Sequence, residues 1–203
     1  VPGNPDNEFG SLIQSLADAS SSVREKAAGE IFERGVDLAL PEASRWLQDE
    51  ALAGHFLMGS LQFPEVTVGV AVSPSNFDLI RSVCGSPPLA DVPPDQDARE
   101  FELDFPNRVR LDILTTRQPE GAGTIARYLQ KFGESIQQVE LLAKDVDQTT
   151  QLLLARFGLR PVFPKTRAGA NGTRVNFFLV PAPGGGKVLI ELVEAPASAR
   201  TLC

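Results

Sequence analysis

Residues 134–148, ESIQQVELLAKDVDQ, read as a strand running into a helix. Strand alternation sends Val139 and Leu141 to one side and Gln138 and Glu140 to the other. The first pair is suited to a core. The second pair places an amide and a carboxylate side by side on the opposite face, so that face is where function is sought.

The same pattern extends in both directions. GTIARYLQKFG (123–133) precedes the strand as a linking helix, and before it VTVGVAV (66–72), SNFDLIRSVC, REFELDF (99–105) and RVRLDIL read as strand, helix, strand and strand. Pro106 and Asn107 mark the turn between the last two. After the opening strand come a helix in DVDQTTQLLLARFG, a short strand in RPVF, and strands in TRVNFFLV (173–180) and KVLIELVE (187–194). The order βαβββ therefore recurs, an internal duplication. The expected apolar side takes Val68, Val70, Val72, Phe101, Leu103, Phe105, Val109, Leu111, Ile113, Val139, Leu141, Val175, Phe177, Leu179, Val188, Ile190 and Leu192. The expected polar side takes Thr67, Gly69, Ala71, Glu100, Glu102, Asp104, Arg110, Asp112, Gln138, Glu140, Arg174, Asn176 and Glu191.

Ahead of this lies a helical segment, residues 1–60. SVREKAAGEIFERG places Val23, Ala27, Ile31 and Phe32 on one stripe with Gly35 as a stop, and Pro41 falls near the start of a following helix that carries Trp46 and Leu47. Two or three short antiparallel helices are expected, docked on the rest of the chain because such a unit cannot bury its own apolar face. The segment 197–203 is expected to be a tail.

Composition narrows the functions. The formal net charge of -7 and the lack of a Lys/Arg cluster speak against nucleic acid. No apolar run approaches the roughly 20 residues of a membrane helix, and VPGNPDNEFG reads as a flexible tail, not a signal peptide. Cys84 and Cys203 form no disulfide framework, so a cytoplasmic location is expected. His55 is the only histidine and reads as a surface or packing residue. PGGGK (183–187) lacks the following Ser/Thr and helix of a phosphate loop and reads as a hairpin turn.

Three stretches together, VGVAV with RLDIL, residues 123–147, and RVNFF with KVLIELVEAP, resemble the vicinal-oxygen-chelate superfamily of glyoxalases and bleomycin-resistance proteins, and within it the methylmalonyl-CoA epimerases. The likeness covers Val66 to Pro196. It implies an α+β fold of two βαβββ modules (66–116 and 135–196, joined by the linking helix 122–133) forming a half-barrel sheet, preceded by the helical segment. It also implies a divalent metal held by one residue on each of four strands, at positions that correspond here to Thr67, Asp112, Gln138 and Glu191. Glu191 matches the family pattern and Asp112 is a shortened version of it, whereas Thr67 and Gln138 stand where the family has histidines. With no imidazole the set is all oxygen, which suits Mg²⁺, Mn²⁺ or Ca²⁺ weakly and zinc, cobalt or nickel poorly. The expected cofactor is therefore none, or a weakly bound cation of that hard kind at Asp112, Gln138 and Glu191.

Glu100, Glu102 and Glu140 are the candidate proton-transfer bases, and Thr67, Arg110, Arg174 and Asn176 the candidate ligand contacts. The first functional expectation is a protein that binds a small polar molecule in an acidic cup without tight transition-metal binding. The alternatives are an epimerase-, isomerase- or lyase-like enzyme for a small acyl or carboxylate substrate, and a degenerate scaffold for protein interaction. Enzymatic activity is left open between them. The expected partners are a small molecule, a second copy in a homodimer, and a protein engaging the N-terminal helices.

Overall fold

The computed structural model describes residues 5–59 and 64–195. The expected tail, Cys203 and the first four residues lie outside them. The helices and strands group into two units, Val1–Arg34 with Thr67–Gln137 and Gly35–Val66 with Gln138–Cys203.

The first unit carries α1 (Pro5–Leu16), the first half of α2 (Ser21–Leu47), and module one. In the second unit lie the rest of α2 and the short α3 (Glu50–Ala53). Module one begins with β1 (Val66–Ala71), whose six residues are all buried. It crosses over through α4 (Pro74–Val83) to β2 (Ala98–Phe105) and β3 (Val109–Thr116). β3 is central, parallel to β1 and antiparallel to β2. The crossover begins where the sequence calls for a helix start: the Ser73 hydroxyl accepts the Asn76 N–H, and Pro74 fills the first helical position. α4 packs on β3, and Phe77 meets Phe101 edge-on at 4.7 Å. Fully burying side chains of this size contributes roughly 1.5–3 kcal/mol each, enough to fix which way β2 faces.

After the linking helix α5 (Thr124–Phe132), module two holds β4 (Ser135–Leu142), α6 (Val146–Phe157), β5 (Arg167–Ala168), β6 (Arg174–Pro181) and β7 (Lys187–Glu194). In the second unit β4 runs parallel to β7, and β6 is antiparallel to both β7 and β5. The glycine run closes the β6–β7 hairpin: Gly184, Gly185 and Gly186 all have positive φ, which side chains disfavour. The α+β class, the repeated strand–helix–strand order and the preceding helices are as the sequence predicts.

Four expectations differ in detail. α2 is one helix of 27 residues with Gly35 and Pro41 inside it, not two helices broken at those points. A proline there removes one helical N–H and crowds the preceding turn, yet buried Ala39, Ala43 and Trp46 hold the helix by packing, and Trp46 stacks on Phe56 at 6.3 Å. Val23 is exposed; the buried stripe is Ala27, Ala28 and Ile31. The short strand expected at 160–163 is irregular, and pairing occurs instead at Arg167–Ala168. In module one no strand forms between α4 and β2. Pro87, Pro88, Pro93 and Pro94 occupy that stretch, and the Ala90 N–H reaches the Glu100 carbonyl of β2 at 3.0 Å.

Candidate functional site

Register decides which side chains share a face. In module one Glu102 pairs with Asp112 and Asp112 with Gly69, while Glu100 pairs with Leu114 and Asp104 with Arg110. Thr67, two residues before Gly69, falls on the same side. The candidates Thr67, Glu100, Glu102, Arg110 and Asp112 thus lie on one polar face. Gly69 adds no side chain beside Asp112, which is only 5% exposed. Burial pushes the Glu100 carboxyl up to about 7, and the charge of Glu102, two residues along the same face, adds to it.

In module two Glu140 pairs directly with Glu191, and Glu191 pairs on its other side with Phe177. Gln138 and Glu191 are both 7% exposed. The Gln138 Nε2 donates to Glu191 Oε2 at 2.5 Å and to Glu140 Oε1 at 3.1 Å. The face continues into an apolar wall: Phe177 is half-buried against the edge of Phe163, and Leu179 is 51% exposed. Arg167 lies over the Phe163 ring at 4.6 Å.

Arg174 and Asn176 do not belong to that polar face. In register they oppose Glu194 and Leu192, so they share the helix-facing side with Phe178 and Val180. Arg174 bonds Glu194 and, on α6, Asp147; Asn176 is buried and donates to the Phe163 carbonyl. VNFFLV carries apolar side chains in both phases, so alternation alone does not fix the parity of β6, and Phe177 and Leu179, expected on the apolar side, lie on the face of Glu191 instead. A signal was present: the hairpin pairs Pro181 with Lys187, and counting back from it sets Phe177 opposite Glu191.

The surface that bears the histidine is separate from this polar face. His55 lines a groove of about 430 Å³ with Ala51, Gln148, Gln151, Leu152 and Ala155, and no carboxylate or thiol stands in that lining.

A crystal structure of methylmalonyl-CoA epimerase from Mycobacterium tuberculosis matches 73% of this chain and 99% of its own, at 30% identity and a TM-score of 0.53. The chain belongs to the vicinal-oxygen-chelate superfamily. Two further matches support the fold alone. A hypothetical protein from Bacillus halodurans is 23% identical over 64% of this chain and 92% of its own, with a TM-score of 0.52. A Streptomyces coelicolor methylmalonyl-CoA epimerase in complex with 2-nitronate-propionyl-CoA is 20% identical over 66% and 98%, with a TM-score of 0.50. No family model and no curated protein matches the chain.

Zinc, cobalt and nickel, the metals that histidine ligands would hold, do not fit the side chains present. In the first unit the positions offer a threonine hydroxyl and an aspartate, in the second an amide and a glutamate, and none of them is an imidazole. The Gln138 amide also turns its nitrogen, which cannot ligate a metal, toward both Glu140 and Glu191. Among the described residues no three His, Cys, Asp or Glu side chains gather as a metal-holding group.

Proposed function

We propose that this vicinal-oxygen-chelate protein binds a small organic molecule on the polar face of module two, without a transition metal, and that the molecule carries a cationic amine on an apolar body. The observation that supports this reading is the row Glu140–Glu191–Phe177, where paired carboxylates meet an aromatic wall at the next strand. A carboxylate pair with one member buried and the other half-buried recognises ammonium by charge-assisted hydrogen bonds, and the exposed Leu179 offers area for the body of the ligand. Calorimetric titration with phenethylammonium, phenylethanol and phenylacetate tests it. The ammonium is expected to bind saturably, the anion not at all, and Glu191→Gln or Phe177→Ala to weaken binding at least tenfold. Equal affinity for all three probes overturns the reading.

A second reading is proton transfer on an acyl substrate, the activity for which the M. tuberculosis relative is named. It is favoured by Glu100, whose carboxyl, pushed up to about 7, is matched to giving and taking protons near neutrality. Here Glu100 takes the proton from the carbon beside a thioester carbonyl, and solvent or a second acid returns a proton to the other face of the planar enolate. Incubation with methylmalonyl-CoA in D₂O is expected to place deuterium on that carbon, and Glu100→Gln to stop it. No exchange with the folded protein removes this reading and leaves the first.

A further inference from the structure

On the side of β6 away from β7, the short β5 pairs with it at Arg174 and Val175. Farther along, residues 160–164 run beside β6 without forming a strand, since Pro161 and Pro164 have no N–H for a ladder. Other bonds hold them. The Val162 N–H donates to the Phe177 carbonyl at 2.7 Å, and the Asn176 Nδ2 donates to the Phe163 carbonyl at 3.3 Å. The Asn176 Oδ1 accepts the Phe177 N–H at 2.9 Å. Reversing this amide would set oxygen against oxygen at Phe163 and N–H against N–H at Phe177, so the two partners fix its orientation. Asn176 is 1% exposed, and from the helix side of β6 it ties the backbone of Phe163 to that of Phe177. On the other side the rings meet. Phe163 and Phe177 stand edge to face at 5.9 Å with their planes at 77°, and the Arg167 guanidinium covers one face of Phe163.

We propose that Phe163 selects an aromatic body at the module-two site and that Asn176 is its positioning residue. The inference rests on the amine-binding reading above and narrows the ligand to an arylalkylamine. Two rings set edge to face leave a corner, and a third ring packs into it by the same edge-to-face contact. A saturated body of equal size gains area there but no such directed contact. The corner keeps its shape only while the Phe163 backbone is held. With Pro161 and Pro164 on either side of Val162 and Phe163, the Asn176 amide does the holding in place of a ladder. Asn176 is buried with its amide bonded at both ends, so it touches no ligand and acts through Phe163. A wall fixed in advance costs the complex less ordering when the ligand arrives.

Calorimetric titration of the full chain compares phenethylammonium with 2-cyclohexylethylammonium, which has the same charge and length but no aromatic ring. The wild type is expected to prefer the aryl amine roughly fivefold, and Phe163→Leu and Asn176→Asp each to bring the ratio near one. Aspartate keeps an acceptor for the Phe177 N–H and loses the donor to Phe163. Added to Phe163→Leu, Asn176→Asp should change the ratio no further, as expected of a residue that acts through another. Amide hydrogen exchange reads the positioning without any ligand. Asn176→Asp should speed exchange at Val162 roughly tenfold and leave Phe178 and Val180, paired with Ile190 and Val188, unchanged. Should Asn176→Asp not fold, Asn176→Ser, too short to reach the Phe163 carbonyl, carries the same comparisons. A preference retained in Phe163→Leu, a further drop when Asn176→Asp is added to it, or unchanged exchange at Val162 overturns the inference and leaves the binding reading standing. Failure of both amines to bind the wild type overturns that reading and the selection by Phe163 with it, while exchange at Val162 still decides the role of Asn176.

Discussion

Glu100 sets the pH response of module one. Its carboxyl holds its proton up to about 7 in the folded chain, against an ordinary 4.5, because burial and the neighbouring charge of Glu102 disfavour the anion. Between those values the native state binds more protons than the unfolded chain, so stability falls as pH rises. The contribution is fully present below about 4.5 and lost as pH passes about 7. A shift of this size corresponds to on the order of 2–3 kcal/mol at pH 8. Glu100→Gln should therefore stabilise the protein by about 2 kcal/mol at pH 8 and by little at pH 4, as read from urea unfolding at the two values. An equal effect at both would show that Glu100 titrates normally. The placement of Glu100 on the polar face was legible from REFELDF alone, because Phe101 and Leu103 fit only a core. Its raised pKa was not, since burial of a half-covered carboxyl depends on elements that the strand's own sequence does not describe.

Around α6 the contacts explain why Arg174 left the site. Two carboxylates serve the helix start: Asp145 Oδ1 accepts the Gln148 N–H at 2.9 Å, and Glu194 Oε2 accepts the Val146 N–H at 2.9 Å. Arg174 Nη1 donates to the same Glu194 oxygen at 3.1 Å, and Glu194 is 5% exposed. Removing the carboxylate strands a helix N–H and takes from Arg174 one of its two acidic partners, leaving Asp147. Glu194→Ala is expected to cost roughly 2–4 kcal/mol in urea unfolding. Arg174→Ala should also destabilise yet leave phenethylammonium affinity unchanged, because its side chain lies on the helix side of β6. A loss of affinity there would return Arg174 to the binding face. In this region the helix, its acidic start and the hairpin were readable in the sequence. The phase of β6 was not read, because an FF doublet satisfies a core from either side and only the hairpin count resolves it.

At the scale of the whole molecule, donors for soft or borderline metals are scarce. The chain has one histidine and two cysteines, and His55 faces a groove without further ligands. Elemental analysis of the purified protein is expected to find zinc, cobalt and nickel far below one ion per chain. A near-stoichiometric transition metal lost on Glu191→Ala would contradict it. The repeat of strand and helix was legible across the whole chain because strand alternation is local. The continuity of α2 was not, since packing of Ala39, Ala43 and Trp46 outweighs the local preference of Gly35 and Pro41. The proline stretch before β2 bears on how copies of this chain meet one another. β2 is the outer strand of its module, and an outer strand invites a stranger to extend it. Pro87, Pro88, Pro93 and Pro94 lie alongside with no N–H to offer, so the stretch neither completes a ladder nor templates a new one. Replacing all four with threonine should leave the fold intact and produce concentration-dependent association in size-exclusion chromatography, with β-rich aggregates on ageing. The prolines that interrupt the repeat are, on this account, what keeps neighbouring molecules from continuing each other's sheets.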